Sequence, residues 1–397
     1  MLLAIETCFR LKNDVIDRRV GQRPSARVAG DPRAAPWEAD FTREFNATRP
    51  NRWIPYLYFG RRPNYQGRYI QIDSAGHRVT PQSSTPSASV LRVFMFGGST
   101  MWGDAQRGDH TIPAETARRL NQLAGPRARV EVTNFGEVGY VFTQEIVDLL
   151  LQLRNGHRPN VVVFYDGLND VAATVQYGVA GLPQNEAKRS AEFDMGRALD
   201  RTGFARGFGK DARALGLLFG QSMRQLELSD WVLSHKPAQT AAYVAADSAA
   251  RATVRNYAGN VELVEALAAR YGFTPVYVWQ PSLHASEKQL NAYEQRLRRR
   301  IERDPYHSRI QQVHRVLPPL LDSAMTDVAP GRFVDAASLF RGDTLAVYTD
   351  WLGHNTEVAV PHIVDAFWPA LERAARGALE HPAATQTAPA ARRPASN

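Results

Sequence analysis

A serine attacks an ester only if a base takes its proton and donors receive the negative charge that forms on the carbonyl oxygen. Residues suited to these tasks stand in four short stretches of the chain. Ser99 follows the apolar run Leu91–Phe96 and two glycines, in LRVFMFGGSTMWG. Residues 134–139 read NFGEVG, 167–170 read GLND, and 350–354 read DWLGH. In this arrangement Ser99 would be the nucleophile and His354 the base. Asp350 would orient the ring and stabilise the imidazolium. The backbone N–H groups of Ser99 and Gly139, with the side-chain amide of Asn169, would form the oxyanion hole. Gly97 and Gly98 let the backbone turn sharply and leave room for a substrate beside the serine.

Positions so far apart in the chain need a scaffold that gathers loops at one edge, and open parallel sheets do this at the carboxyl ends of their strands. Leu91–Phe96, Val130–Phe135 and Val161–Tyr165 are short apolar runs that read as buried strands. Thr111–Leu123 and Thr143–Arg154 lie between them and carry helical apolar stripes, with Thr111 as an N-cap and Pro113 in the first turn. Alternation of strand and helix predicts an α/β, doubly wound parallel sheet. Thr274–Trp279 and Arg332–Asp335 bring it to a flavodoxin-like, five-stranded sheet. Helices are expected around Ser286–Glu302, Tyr306–Met325 and Val358–Leu379, the last kinked at Pro369.

Three regions follow from this layout. Residues 1–88 form an N-terminal arm, loose over Asn13–Arg49, with a short hairpin around Tyr69–Ile72. Residues 89–380 form the sheet domain, with a helical insertion at about 171–272 that caps the sheet edge. Residues 381–397 are rich in Ala, Pro and Thr and are expected to be disordered.

Composition excludes several classes. The formal charge of +8 is carried mostly by arginine, but no basic stripe interleaved with aromatics appears, which speaks against nucleic acid. Arg298–Arg300 sit among acidic neighbours and read as a solvated helix face. Cys8 is the single cysteine, so neither an intrachain disulfide nor a thiolate metal cluster can form. His110, His157 and His307 lack metal-ligand spacing and read as surface or boundary residues. No phosphate-loop motif occurs, and FGEVGY lacks the dinucleotide-binding glycine spacing, which counts against a nucleotide-binding protein of flavodoxin type. No metal or cofactor is therefore expected. The opening MLLAIETCFRLK is too short an apolar run to span a bilayer and lacks the pattern of a secretory signal; no membrane span is expected in the sequence as it stands. Trp102 and Tyr140 could wall the pocket, though aromatics beside a sheet more often pack, and Asp170 is expected to cap the next segment or contact the loop holding Ser99.

Taken in order, FGGST at Phe96–Thr100, NFGEVGY at Asn134–Tyr140 and FYDGLND at Phe164–Asp170 resemble the SGNH (GDSL-type) hydrolases, named for blocks carrying Ser, Gly, Asn and His. DHTIP at Asp109–Pro113 and WQPSL at Trp279–Leu283 extend the similarity to the membrane-associated bacterial branch, over roughly Trp53 to Leu371. The resemblance implies a metal-independent serine esterase that removes or transfers an acyl group through a Ser99 acyl-enzyme. Its substrate would be a small-molecule or carbohydrate ester, such as an O-acetyl group on a sugar or envelope component. It also favours the cell envelope or periplasm, with association to the envelope, and leaves the cytoplasm open. One departure stands out. The family's last block is Asp-x-x-His, whereas Asp350 and His354 have an extra residue between them, and the family's following Gly-Asn is replaced by Asn355-Thr356. Gly353 could bulge the loop and restore the register. The alternative is a catalytically lapsed binding or scaffold protein in which the Asp–His contact is lost.

Overall fold

The computed structural model describes residues 31, 35–49, 51–81, 87–186, 189–190 and 244–381. Cys8, most of the expected insertion and the C-terminal tail lie outside them. The chain divides into two compact units. One, residues 1–27 with 185–243, falls almost wholly outside the described residues. The other, residues 28–184 with 244–397, carries every element below.

Five strands form one parallel sheet: β1 (Val90–Gly97), β2 (Arg129–Asn134), β3 (Val161–Asp166), β4 (Thr274–Trp279) and β5 (Phe333–Asp335). Their order is β2-β1-β3-β4-β5, the flavodoxin-like order with its switch point between β1 and β3. In register, Val93 lies beside Val132 on one side and Val161 on the other, and Phe164 beside Tyr277. All six residues of β3 are buried, as expected of a central strand covered on both faces.

Alternation along the strands sorts the core into two layers. Val93, Met95, Val132, Val163, Val276 and Val278 face helices α2 (Ile112–Ala124) and α8 (Val360–Glu380). Phe94, Phe96, Val162, Phe164, Tyr277 and Trp279 share a layer with α3 (Phe142–Arg154), α4 (Leu168–Tyr177), α5 (Ala246–Tyr271) and α7 (Pro305–Val328). One layer is chiefly aliphatic. The other is aromatic, with Phe135, Phe96, Phe164 and Tyr277 in successive face-to-face stacks. No helix among the described residues is long and apolar enough to cross a membrane.

Helix boundaries follow local chemistry. Thr111 caps α2 through its side chain, with Pro113 in the first turn. Asn291 and Glu294 form a reciprocal capping box at α6 (Ala292–Arg303). That box corrects the expectation of a helix from Ser286: the chain stays irregular until a residue able to cap it arrives. Helix α8 runs unbroken through Pro369.

The arm also needs correction. Glu38–Thr48 is a helix, α1, not a loose segment. Phe41 is buried with Ile70, Ile72 and Trp102, and Phe45 packs edge-on against Trp102. The Glu44 carboxylate accepts the backbone N–H groups of Arg68, Tyr69 and Ile70, which ties α1 to the hairpin. In that hairpin Tyr65–Gln66 pairs with Gln71–Ile72, and Ile72 bridges to Arg78. Trp37, Phe41 and Phe45 recur every four residues, and packing of that stripe against Ile70, Ile72 and Trp102 holds so short a helix.

Candidate active site

Ser99 begins a one-turn helix, Ser99–Trp102, directly after β1. Two glycines precede it because no larger residue fits. A Cβ on Gly97 would lie 2.6 Å from Cβ of Met101, and one on Gly98 would lie 2.3 Å from Nδ2 of Asn169. The missing side chain at 98 is thus the space that the Asn169 amide occupies.

His354 comes from the far end of the chain and reaches Ser99. Its Nε2 lies 2.7 Å from Oγ of Ser99, and its Nδ1 lies 2.6 Å from Oδ2 of Asp350. The extra residue in DWLGH is absorbed inside the loop. Oδ1 of Asp350 accepts the N–H groups of Leu352 at 2.9 Å and His354 at 3.2 Å, while the N–H of Thr349 donates to the carbonyl of His354. Gly353 makes the turn with φ of 93°, a left-handed conformation that suits glycine. Trp351 clamps the loop from outside, lying 4.2 Å from the His307 ring and 3.9 Å from the Arg300 guanidinium.

Loops after β2 and β3 complete the rim. The Glu137 N–H donates to the carbonyl of Gly97, and the Asn134 amide donates to the carbonyl of Met101. Gly136 is pressed against the turn after Ser99; a Cβ there would lie 2.4 Å from N of Trp102. Gly139 turns with φ of 83°. The Asn169 amide donates to the Tyr140 carbonyl at 2.7 Å, and its own oxygen accepts from Gln184 at 3.0 Å. These contacts fix the amide plane, and Nδ2 keeps a second hydrogen for another acceptor.

Electrostatics at the site are dominated by carboxylates. Burial disfavours a charge on His354, but Asp350 and Asp104 beside it outweigh that and hold the imidazole up at about 9. Burial also pushes the Asp350 carboxyl up, yet His354 and the backbone N–H groups it accepts hold it below its usual range. Glu137 is raised by burial despite the Arg61 guanidinium, which contacts it at 3.0 Å.

Several neighbours of the site depart from what the sequence suggests. His307 is buried, not at the surface, with Nδ1 2.9 Å from Nε2 of His284. Arg298 is not wholly solvated: it donates to the carbonyls of Leu283 and Ser286. Asp170 accepts the N–H of Phe142 at the start of α3 and does not touch the Ser99 loop through that oxygen. Trp102, by contrast, packs as expected: it is buried with Phe41, Ile70 and Ile72, and the Arg61 and Arg78 guanidinium groups lie 4.7 and 4.5 Å from its ring. Asp104, Arg61 and Gln184 were missed as site neighbours. Asp104 carries a sequence signal, an acid five residues after the serine behind a glycine; Gln184 carries none. Among the described residues no group of three or more His, Cys, Asp or Glu side chains could hold a metal ion.

No protein-family model and no curated protein matches the chain. Solved structures are similar at low identity. An acetyl xylan esterase is 11% identical with a TM-score of 0.37, over 71% of this chain and 100% of its own. An alpha/beta hydrolase from the metagenome of Lake Arreo, Spain, is 15% identical with a TM-score of 0.34, over 72% and 96%. An acetylxylan esterase from Geobacillus stearothermophilus is 14% identical with a TM-score of 0.33, over 73% and 96%. Similarity at this level transfers neither a reaction nor a substrate.

Proposed function

We propose that this chain is a serine esterase of the SGNH type that removes or transfers a short acyl group through a Ser99 acyl-enzyme. The observation that carries the reading is the continuous chain of contacts from Ser99 Oγ to His354 to Asp350, at 2.7 and 2.6 Å. A nucleophile, a base and an orienting carboxylate in line are what acyl transfer at serine requires.

The chemistry then runs as follows. Neutral His354 takes the proton of Ser99 Oγ as that oxygen bonds to the ester carbonyl carbon. The carbonyl oxygen becomes an oxyanion, received by the N–H groups of Ser99 and Gly139 and by the amide of Asn169. Collapse breaks the bond to the leaving oxygen, which takes the proton from His354 Nε2. An acceptor hydroxyl, from water or a sugar, gives its proton back to Nε2 and attacks the acyl carbon; Ser99 leaves and recovers a proton. Asp350 keeps the ring oriented throughout and neutralises the imidazolium. The sequence resemblance makes O-acetylated carbohydrate the ester class to assay first.

A short-chain aryl ester and a fluorophosphonate probe test the reading together. Ser99→Ala should abolish both turnover and labelling while the thermal midpoint stays that of the parent. Turnover that survives the substitution would rule out the acyl-enzyme.

A further inference from the structure

Asp104 belongs to none of the four stretches that supply the proposed machinery, yet it reaches the reacting nitrogen. Its Oδ2 lies 3.6 Å from His354 Nε2, the atom that also meets Ser99 Oγ at 2.7 Å. Local backbone builds this position. The N–H groups of Gly103 and Asp104 both donate to the carbonyl of Ser99 at 3.0 Å. Gly103 turns with φ of 95°, where a Cβ would meet Thr111 Cγ2 at 2.5 Å and Arg78 Nη1 at 2.7 Å. The buried Arg78 guanidinium donates to the carbonyls of Trp102, Gly103 and Gln106, so the turn bearing Asp104 is held from beneath.

We propose that Asp104 is a second carboxylate partner of His354, placed at Nε2 where Asp350 holds Nδ1, and that it governs how readily the base is freed of its proton. Its bearing on catalysis rests on the acyl-transfer reading. The distance is that of an ion pair without a hydrogen bond, so the effect is one of charge. A carboxylate this close favours the imidazolium over the neutral ring. The imidazolium formed when Ser99 attacks is stabilised, but the resting base is also held protonated at neutral pH, in line with the imidazole's elevation to about 9.

Other charged groups surround the pair. Arg78 is the cation beside Asp104. Asp350 faces His284 and His307, both lowered by burial, with Arg298 and Arg300 beyond them. These groups act on Asp350 and the outer side of the loop; Asp104 meets the inner nitrogen.

The test uses Asp104→Asn, which keeps the shape and removes the charge, and Asp104→Glu, which keeps the charge. Two readouts are taken on the whole protein: the imidazole midpoint of His354 by NMR with labelled histidine, and the pH dependence of fluorophosphonate labelling at Ser99. In the Asn variant the midpoint should fall by at least about one pH unit, and the labelling profile should move with it. Labelling at neutral pH would then be about tenfold faster relative to the variant's own high-pH plateau. Glu should restore the parent's midpoint. Coincident midpoints for parent and Asn variant overturn the proposal, as does a loss of labelling by one factor at every pH in both variants. If Ser99 of the parent takes up no probe at any pH, the esterase reading fails, while the NMR midpoint still decides the role of Asp104.

Discussion

The Asn169 amide has two N–H bonds, and the Tyr140 carbonyl takes one of them at 2.7 Å. The other is the donor that the proposed oxyanion would receive. Removing one such donor lowers turnover about 10²–10³-fold in hydrolases of this chemistry. Asn169→Ala should show that loss in kcat, with KM for a short aryl ester little changed, since the interaction strengthens only as charge develops. In the proposed mechanism His354 sets the pH dependence. It acts as a base only when neutral, so kcat/KM should rise with pH, reach half its maximum near pH 9, the value its carboxylate partners impose, and level off above it. Stability carries the opposite sign. A raised folded-state value means that the His354 ion pairs contribute fully below pH 6.5 and are lost as pH rises through about 9. A stopped-flow pH series measures the first effect, and urea midpoints in the same buffers measure the second.

Loops, more than single side chains, hold the geometry together. The loop after β1 leaves a gap at Gly98 that the Asn169 amide fills, so these two positions form one unit. Gly98→Ala would drive a methyl to 2.3 Å from Nδ2 and displace the donor. Its loss should therefore resemble that of Asn169→Ala, about 10²-fold, and the double variant should be little worse than either single one. That non-additivity marks a shared mechanism; losses that multiply would show that Gly98 acts elsewhere. The loop of residues 349–354 is a second such unit. Gly353→Ala meets both an unfavourable φ and the Leu168 side chain, 2.7 Å from the new Cβ. It should loosen Asp350 from His354 and cut kcat, in the direction of the about 10⁴-fold loss that follows removal of the orienting carboxylate in a triad enzyme.

At the scale of the molecule, the sheet separates an aliphatic layer from an aromatic one, and several buried ionisable groups lie on helices that cover the aromatic side. His314, on α7, is fully buried with no hydrogen-bond partner at Nε2 among the described residues, and burial holds it down at about 4. A lowered imidazole contributes stability that is complete above pH 6.5 and is lost as pH falls through about 4. The whole effect amounts to about 3 kcal/mol. Asp148 and Asp170, raised by burial to about 6, act in the other sense: their contribution is present below pH 4 and is lost as pH rises through about 6. Comparing His314→Leu with the parent cancels the acids. The gap between their urea midpoints should shift toward the Leu variant as pH drops from 6.5 to 4. A gap that stays constant with pH would mean that His314 does not titrate with unfolding.

Much of the frame was written locally. Val161–Asp166 had to be a covered strand because every residue is apolar or aromatic up to Asp166, and Thr111 and Pro113 marked the start of α2 by capping chemistry that acts over three residues. Ser99, Gly139 and Asn169 stood at strand ends, so a parallel sheet alone brings them to one edge. Contacts between distant residues were another matter. The DWLGH spacing left open whether Asp350 meets His354, because the answer depends on a turn at Gly353 and on Trp351 lying between Arg300 and His307. Helix α1 was passed over although Trp37, Phe41 and Phe45 recur every four residues, because so short a stripe makes a helix only when it packs on Trp102 and the hairpin. Asp104 stood in plain sight, but its approach to Nε2 exists only once the two ends of the sheet domain have closed around the same point. Short-range order is encoded in neighbours along the chain; charge acting on charge is decided by distance in space, which only the folded molecule supplies.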